Sequence, residues 1–289
     1  MVDVECRIFT LPMAKLTEPN QQKEMGFFDH IEALRWHIMR AAIVVVAAAM
    51  FAFTQKKLVF DYLLFGPTRA DFPTNRLFCW LEQQGSFFNG LCIRDVKFVF
   101  INTDITGQFM LHIQMALYVG AIAAFPYVFW EVWRFVKPAL HEREIRNTRG
   151  IVFVTSLLFT IGCLFGYFII TPFSLNFLIQ YQATEIVQNM ISIDSYIGLL
   201  ITMTIPTGIL FELPMLVFLL TKLGVLTPEF MRNGRKLAYV IILVIVAIIT
   251  PQGDITSLLL ISTPIFILYE LSIGISARVH KQIVQEEQF

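Results

Sequence analysis

Long apolar runs recur along the chain and are separated by short polar segments. A helix that crosses the hydrocarbon core of a bilayer needs about 20 mostly apolar residues. On this basis we interpret six runs as membrane spans, at residues 38–57, 108–131, 150–171, 195–221, 237–250 and 255–275. The fifth and sixth spans are expected to be short, and the fifth offers only about 21 Å of helix. The pattern therefore predicts an all-α polytopic membrane protein with six transmembrane helices.

Composition supports this class. The chain is 56% hydrophobic and 15% charged, with a mean hydropathy of +0.65. Soluble domains carry about 25% charged residues, so an ordinary aqueous surface is not expected. The formal net charge is zero, which gives no support to nucleic-acid binding.

Lysine and arginine are concentrated in the loops after the second and fourth spans, whereas loops 172–194 and 251–254 contain neither. The positive-inside rule then places both termini and the two basic loops in the cytoplasm. We expect a flexible N-terminus over 1–25, one membrane domain over 26–280 with an external loop at 58–107, and a cytoplasmic tail over 281–289. The first span is interpreted as a retained anchor because it begins too late for a signal peptide.

The external loop contains Cys79 and Cys92. Its compartment permits disulfides, so we predict a bond between them, with two buried free thiols as the alternative. No set of four ligands suits zinc, and neither a metalloprotease H-E-x-x-H nor a phosphate-binding P-loop pattern occurs. We therefore expect no metal, no cofactor and no enzymatic activity.

Residues 26–40, GFFDHIEALRWHIMR, have apolar positions at helical spacing. We expect a helix that lies at the cytoplasmic interface before it turns into the first span. Asp29 followed by Glu32 resembles a capping box. Two interpretations of this helix stay open: its charged residues simply face water, or Glu32 belongs to a recognition surface for a basic ligand.

Glu212 is the carboxylate in the middle of IPTGILFELPMLVFLL, residues 205–220. It precedes Lys222 by ten residues, which places it about 15 Å from the cytoplasmic edge. Pro206, Gly208 and Pro214 flank it and predict a bent helix. Three interpretations stay open. Glu212 is neutral and hydrogen-bonded, it carries protons, or it docks a polar side chain of a partner helix. The hydrogen-bonded interpretation has these candidate partners: Thr202, Thr204, Thr207 or another span.

Four sequence blocks carry a resemblance to one family. They are DHIEALRW at 29–36, AFPYVFWEVWRFVKPALHERE at 124–144, FELP at 211–214, and TPQGD at 250–254 followed by Pro264 and Glu270. In this order and on these segments the chain resembles the TatC family, the multi-spanning core subunit of the twin-arginine protein translocase. The resemblance covers about 27 to 280 and implies a concave six-helix bundle.

The resemblance also implies a function. The family binds the paired-arginine signal peptide of folded cargo at the cytoplasmic face. It then recruits single-span TatA-type subunits, with a separate TatB in some systems, and uses the proton-motive force for export. It acts in the lipid bilayer and self-associates.

Site residues follow from the same blocks. The expected signal-binding residues are Glu144, Glu32, Arg35, Phe135, Glu142 and Glu131. Glu212 and Pro214 are expected to dock a partner helix. Structural or assembly roles are expected for Pro67, Pro126, Pro138, Asp254 and Glu270.

Two positions depart from the family pattern. Ala33 stands where the family commonly has a glutamate, so Glu32 substitutes from a neighbouring direction or Glu144 carries more of the recognition. Glu131 stands where relatives often have glutamine.

The alternative function is a proton-coupled secondary transporter of a small solute that uses Glu212. Transporters usually show internal repeats with paired broken helices, and we find one broken, charged span without a partner in the other half. A membrane enzyme is the third candidate and lacks a catalytic constellation.

Overall fold

The computed structural model describes residues 27–69, 71–84, 100–137, 150–180, 190–250 and 255–287. The helices in chain order are α1 Phe27–Thr54, α2 Pro73–Gln84, α3 Gly107–Val136, α4 Ile151–Phe165, α5 Thr171–Gln180, α6 Ile193–Leu210, α7 Leu213–Lys222, α8 Pro228–Asn233, α9 Arg235–Ile249 and α10 Ile255–Glu287. Two π-helical segments occupy Leu58–Leu64 and Gly166–Ile170. Two short strands, β1 Phe100–Ile101 and β2 Ile191–Ser192, pair in parallel.

Within the described residues, five helical stretches are long and apolar enough to cross a membrane. They are Ile31–Thr54, Gly107–Val136, Ile151–Ile179, Ile193–Lys222 and Leu258–Ile283. The predicted fifth span corresponds to α9, which has 15 residues and is about 22 Å long. The structure therefore confirms a helical membrane protein, and the sixth crossing stays a prediction.

Three sequence-based boundaries were wrong. Helix α1 is continuous from Phe27 to Thr54, so the amphipathic start does not turn before the first span. That stretch contains neither proline nor glycine, and nothing interrupts its hydrogen-bond ladder. The sixth span is not short either, because α10 has 33 residues. No proline or glycine follows Gly274, so the helix continues into the polar residues beyond the apolar run.

The third span also extends beyond its predicted end at residue 171. The chain passes through the π-helical segment Gly166–Ile170 and continues as α5 to Gln180. The hydroxyl of Thr171 donates to the carbonyl of Gly166 at 2.9 Å. The backbone N–H of Thr171 donates to the same carbonyl and closes the wide turn of the π-helical segment. The carbonyl of Phe168, which Pro172 cannot bond because it has no backbone N–H, accepts instead from the hydroxyl of Thr74.

Helices α1 and α3 pack antiparallel along their length. His37 meets Glu131 at one end, and Phe53 stacks on His112 at the other. Midway, a Cβ on Gly120 would lie 2.5 Å from the backbone nitrogen of Ala49. Glycine is needed at this crossing because it lets the two backbones approach closely.

The core lies where α3, α6, α9 and α10 meet, with Met115, Leu200, Met203 and Ile265 fully buried. Elsewhere large apolar side chains face outward, as Phe51 and Phe153 do at 69% and 71% exposure. Such a surface suits hydrocarbon as a solvent.

The segment after α1 is tied to the bundle by tyrosine hydroxyls. Tyr196 donates to the carbonyl of Leu64, and Tyr167 donates to the carbonyl of Leu63 at 2.8 Å. Pro67 is buried in the turn that follows. Cys79 on α2 is disulfide-bonded. Its predicted partner, Cys92, lies outside the described residues, so the pairing stays a prediction.

Candidate functional site

The start of α1 and the end of α3 meet around a buried carboxylate. Glu131 is 1% exposed. Its Oε2 lies 2.5 Å from Nδ1 of His37, and its Oε1 accepts a hydrogen bond of 2.9 Å from the hydroxyl of Tyr127. Arg134, one turn further along α3, lies 3.6 Å from Oε1. A buried carboxylate is tolerated only when it is paired and hydrogen-bonded, and this group joins the two helices.

Around this cluster the expected recognition residues differ in exposure. Glu32 and Arg35 are exposed on α1, whereas Phe135 is half-buried near the end of α3. The ring of Phe135 meets that of His37 edge-on, with centroids 6.1 Å apart. Glu32 precedes His37 by five residues, or about 7.5 Å along the helix axis. An exposed carboxylate, an exposed guanidinium and an aromatic ring thus share one end of the bundle.

Cationic side chains lie at the same end of the bundle, and we call this surface, formed by the start of α1 and the end of α3, the rim. The guanidinium of Arg134 lies 5.0 Å from the centroid of the Trp130 ring, a cation–π distance. Lys137, just after α3, is exposed. The rim therefore carries both charge signs, and Glu32 is available to a ligand while Glu131 is occupied.

Several expected site residues cannot be located. Glu142, Glu144, Pro138 and Asp254 lie outside the described residues. The roles of the residues of the second block that follow α3 therefore stay predictions.

A second site lies at the interruption of the fourth span. Helix α6 ends at Leu210 and α7 begins at Leu213, with Pro214 in its first turn. The predicted bend around Glu212 is thus confirmed as a break between two helices. Both carboxyl oxygens of Glu212 are buried and form no hydrogen bond within the described residues, although the backbone of Phe159 on α4 lies near the carboxyl.

The threonines proposed as partners of Glu212 are otherwise engaged. The hydroxyl of Thr204 donates to the carbonyl of Leu200 at 2.8 Å, and that of Thr207 donates to the carbonyl of Met203 at 2.6 Å. Thr202 likewise bonds to its own helix. None of these threonine hydroxyls therefore bonds to the carboxyl of Glu212, which lies beside the backbone of Phe159 in apolar surroundings.

Close packing surrounds this break. A Cβ on Gly162 would lie 2.8 Å from the Cα of Gly208, and a Cβ on Gly208 would lie 2.6 Å from Sγ of Cys163. Helices α4 and α6 thus touch through glycine beside Glu212. Sequence analysis missed Gly162 because its role depends on which helix lies opposite.

The remaining expected structural residues lie at helix contacts or inside helices. Glu270 on α10 accepts hydrogen bonds from Arg235 at 3.0 Å and from the hydroxyl of Tyr239 at 2.5 Å, which joins α10 to α9. Pro126 is an exposed residue inside α3.

Sequence analysis also missed the partners of Glu131. His37 appeared only as one of several polar residues on the amphipathic start, and Tyr127 as one letter of the second block. Their spacing carried no signal that they meet. In the described part of the chain, no three histidine, cysteine, aspartate or glutamate side chains are grouped to hold a metal ion.

Taken together, the long apolar helices and the apolar outer surface define a multi-pass α-helical membrane protein. Comparisons with known proteins then identify the family. The family model described as Sec-independent protein translocase protein (TatC) matches residues 29–264. The chain belongs to the TatC family.

Similar curated proteins agree. A Sec-independent protein translocase protein TatC of Blattabacterium sp. subsp. Periplaneta americana is 36% identical, covering 91% of this chain and 99% of that protein. TatCy of Bacillus subtilis is 31% identical, over 90% of this chain and 91% of its own. The crystal structure of the "Twin Arginine Translocase Receptor- TatC in DDM" shares 31% identity and a TM-score of 0.66, covering 85% of this chain and 98% of that one. The chain is thus a component of a Sec-independent protein translocase.

Proposed function

We propose that this chain is the receptor subunit of a twin-arginine translocase. It lies in the inner membrane with six spans and both termini in the cytoplasm. The observation that carries the proposal is the rim formed by α1 and α3, where Glu32 is exposed beside the buried Glu131–His37 pair. The family membership reported above supports the same role.

Paired arginines are the ligand that this rim suits. Guanidinium groups bind carboxylates through two parallel hydrogen bonds. Glu32 supplies one carboxylate, and Glu142 and Glu144 supply others on the adjoining loop. Phe135 offers an apolar surface for the residues next to the arginine pair. Glu131 contributes indirectly, because its bond to His37 fixes α1 on α3 and so holds Glu32 near the end of α3.

The exposure pattern also bears on the departure at position 33. Ala33 is half-buried whereas Glu32 is exposed. A carboxylate at 32 therefore points away from the bundle and is free to meet a ligand. This supports Glu32 as the substitute for the glutamate that the family commonly has one position later.

Binding of a signal peptide to the purified protein tests the rim. Glu32→Gln removes one charge from an exposed residue, so we expect signal affinity to fall by about tenfold while the fold persists. Glu144→Gln should have an effect at least as large. Glu229→Gln is the matched control, because Glu229 is exposed on α8 and the predicted topology places it on the same side. If Glu32→Gln and Glu144→Gln both bound like the parent chain, the recognition rim would be wrong.

The deeper site is proposed to dock the helix of a TatA-type subunit. The two carboxyl oxygens of Glu212 are buried and form no hydrogen bond in the described residues, so a polar side chain from another helix would satisfy them. Polar contacts between helices in lipid contribute about 1 kcal/mol, which suits reversible recruitment. Pro214 lies in the first turn of α7, and because it has no backbone N–H it cannot continue the hydrogen-bond ladder of α6.

Separating the two steps tests this assignment. In cells, Glu212→Ala should abolish export of a folded reporter that carries a paired-arginine signal. The same variant should bind that signal peptide normally in vitro. Loss of both activities together would count against separate sites, and normal export would count against docking at Glu212.

The short helix α9 is proposed to thin the bilayer locally and thereby ease passage of cargo driven by the proton-motive force. Its length of about 22 Å compares with a hydrocarbon core of about 30 Å. Inserting four apolar residues within α9 restores a typical span and should slow export. Export at the parent rate would remove this idea without affecting the two sites above.

A further inference from the structure

A cavity opens at the end of the bundle opposite the Glu131–His37 pair. It lies between the end of α1, strand β1 and the first turns of α3, and its volume is about 390 Å³. Small-molecule sites commonly measure about 300–1,000 Å³. Four polar side chains contribute to its wall: Lys56, Asn102, Gln108 and His112. None of them takes part in the function proposed above.

His112 is the unusual member of this wall. The residue is 6% exposed, and its Nε2 is buried without a hydrogen-bond partner in the described part of the chain. Its ring is stacked on Phe53 at 3.8 Å and meets Phe60 edge-on at 5.3 Å. Buried polar atoms are nearly always paired, so an unpaired imidazole nitrogen beside a cavity indicates a missing polar partner.

The polarity of the wall indicates which partner fits. Lys56 supplies a positive charge, and Gln108 lies in the first turn of α3, where helix N-termini favour anions. Asp104 and Asp194 belong to adjoining segments but not to the wall. The wall thus offers a cation, an imidazole and the carboxamide of Gln108, which can all donate to a phosphate group, whereas the carboxamide of Asn102 already donates to the carbonyl of Asp104 at 2.9 Å.

The surroundings of the cavity are apolar. The other residues of its wall are all apolar: Phe60, Phe65, Phe100, Ile101, Leu111 and Ile193. On neighbouring positions Leu58, Phe109 and Met110 are 55%, 59% and 57% exposed. A ligand with a phosphate at one end and hydrocarbon at the other would contact both surfaces.

We propose that this cavity binds the phosphate group of a glycerophospholipid, with Lys56 and His112 as its main polar contacts. The acyl chains lie against the exposed apolar residues beside α1 and α3. The bound lipid braces the end of the bundle where α1 leaves the membrane. This inference rests on the fold and does not depend on signal recognition at the other end.

Native mass spectrometry of the full chain in neutral detergent, titrated with phosphatidylglycerol, tests the site. We expect one tightly retained lipid, and we expect Lys56→Gln to weaken its retention by about tenfold, the loss of one charge-assisted hydrogen bond. Lys57→Gln is the matched control, since Lys57 is the exposed neighbour outside the wall. Equal retention by Lys56→Gln and the parent chain, or equal losses in both variants, would overturn the proposal.

Two further experiments identify the chemical group that the cavity binds. His112→Phe keeps the aromatic contacts with Phe53 and Phe60 but removes Nε2, and it should weaken retention as well. Diacylglycerol with the same acyl chains lacks the phosphate, so its retention at the level of phosphatidylglycerol would overturn the proposal. Competition by millimolar inorganic phosphate would support a phosphate site that free phosphate also enters. No competition, with the lipid still lost in Lys56→Gln, would support the lipid phosphate alone.

Discussion

The hydrogen bond between His37 and Glu131 should carry a measurable part of the stability of the α1–α3 pair. His37→Phe keeps a ring against Phe135 but removes the nitrogen that lies 2.5 Å from Oε2 of Glu131. The carboxylate then retains the bond from Tyr127 and the guanidinium of Arg134 at 3.6 Å. Hydrogen bonds to charged groups contribute about 1.5–3 kcal/mol, whereas polar contacts between helices in lipid reach at most about 1.7. Since Glu131 lies within five residues of the end of α3, close to water, we expect a loss of about 1–2 kcal/mol.

A double-mutant cycle isolates this interaction. The free energy of unfolding is measured in mixed micelles for the parent chain, His37→Phe, Glu131→Gln and the double variant. The double variant should lose less than the sum of the two single losses, by about 1 kcal/mol. His280→Phe, at an exposed histidine, controls for the substitution itself. A coupling energy under about 0.5 kcal/mol, as independent sites show, would refute the reasoning.

Two further predictions concern packing. Gly162→Ala places a Cβ 2.8 Å from the Cα of Gly208, so overpacking should lower the free energy of unfolding by about 1–3 kcal/mol. Gly198→Ala is the control, because nothing lies within 4 Å of a Cβ at that position, and it should be neutral or slightly stabilising. Equal effects of the two variants would contradict the contact between α4 and α6. Tyr196→Phe removes the hydroxyl that donates to the buried carbonyl of Leu64. It should destabilise the folded protein by about 1–3 kcal/mol, measured by the same unfolding assay. An unchanged unfolding midpoint would mean that this bond is not formed.

Much of the architecture could be predicted because a membrane span is defined by residues that are consecutive in the sequence. A span is a continuous apolar run, and the backbone hydrogen bonds that it needs are formed within the run. The break at Glu212 was also readable, since Pro206, Gly208 and Pro214 surround it. The predicted ends of the helices were less reliable. Composition shows where an apolar run ends, but the helix itself can continue into polar residues. This is why α10 and the third span exceed their predicted lengths.

The sites divide in the same way. Glu32 and Glu212 could be singled out from the sequence because each is a carboxylate among mostly apolar neighbours in the chain. The partners of Glu131 could not, since His37 and Tyr127 acquire their role only when α1 lies antiparallel on α3. The wall of the cavity near His112 likewise draws on the segment after α1 and on β1, α3 and α6.

By itself, the sequence determined the class of the protein, its family and the two depths at which acidic side chains are placed. These depend on hydrophobicity and on short motifs, which are properties of neighbouring residues. The tertiary structure decided which of those side chains are available. It buried Glu131 against His37, left Glu32 exposed and left Glu212 without a hydrogen bond in the described residues. The physical reason is that pairing and desolvation depend on which helix lies opposite, and that is a property of the packed bundle.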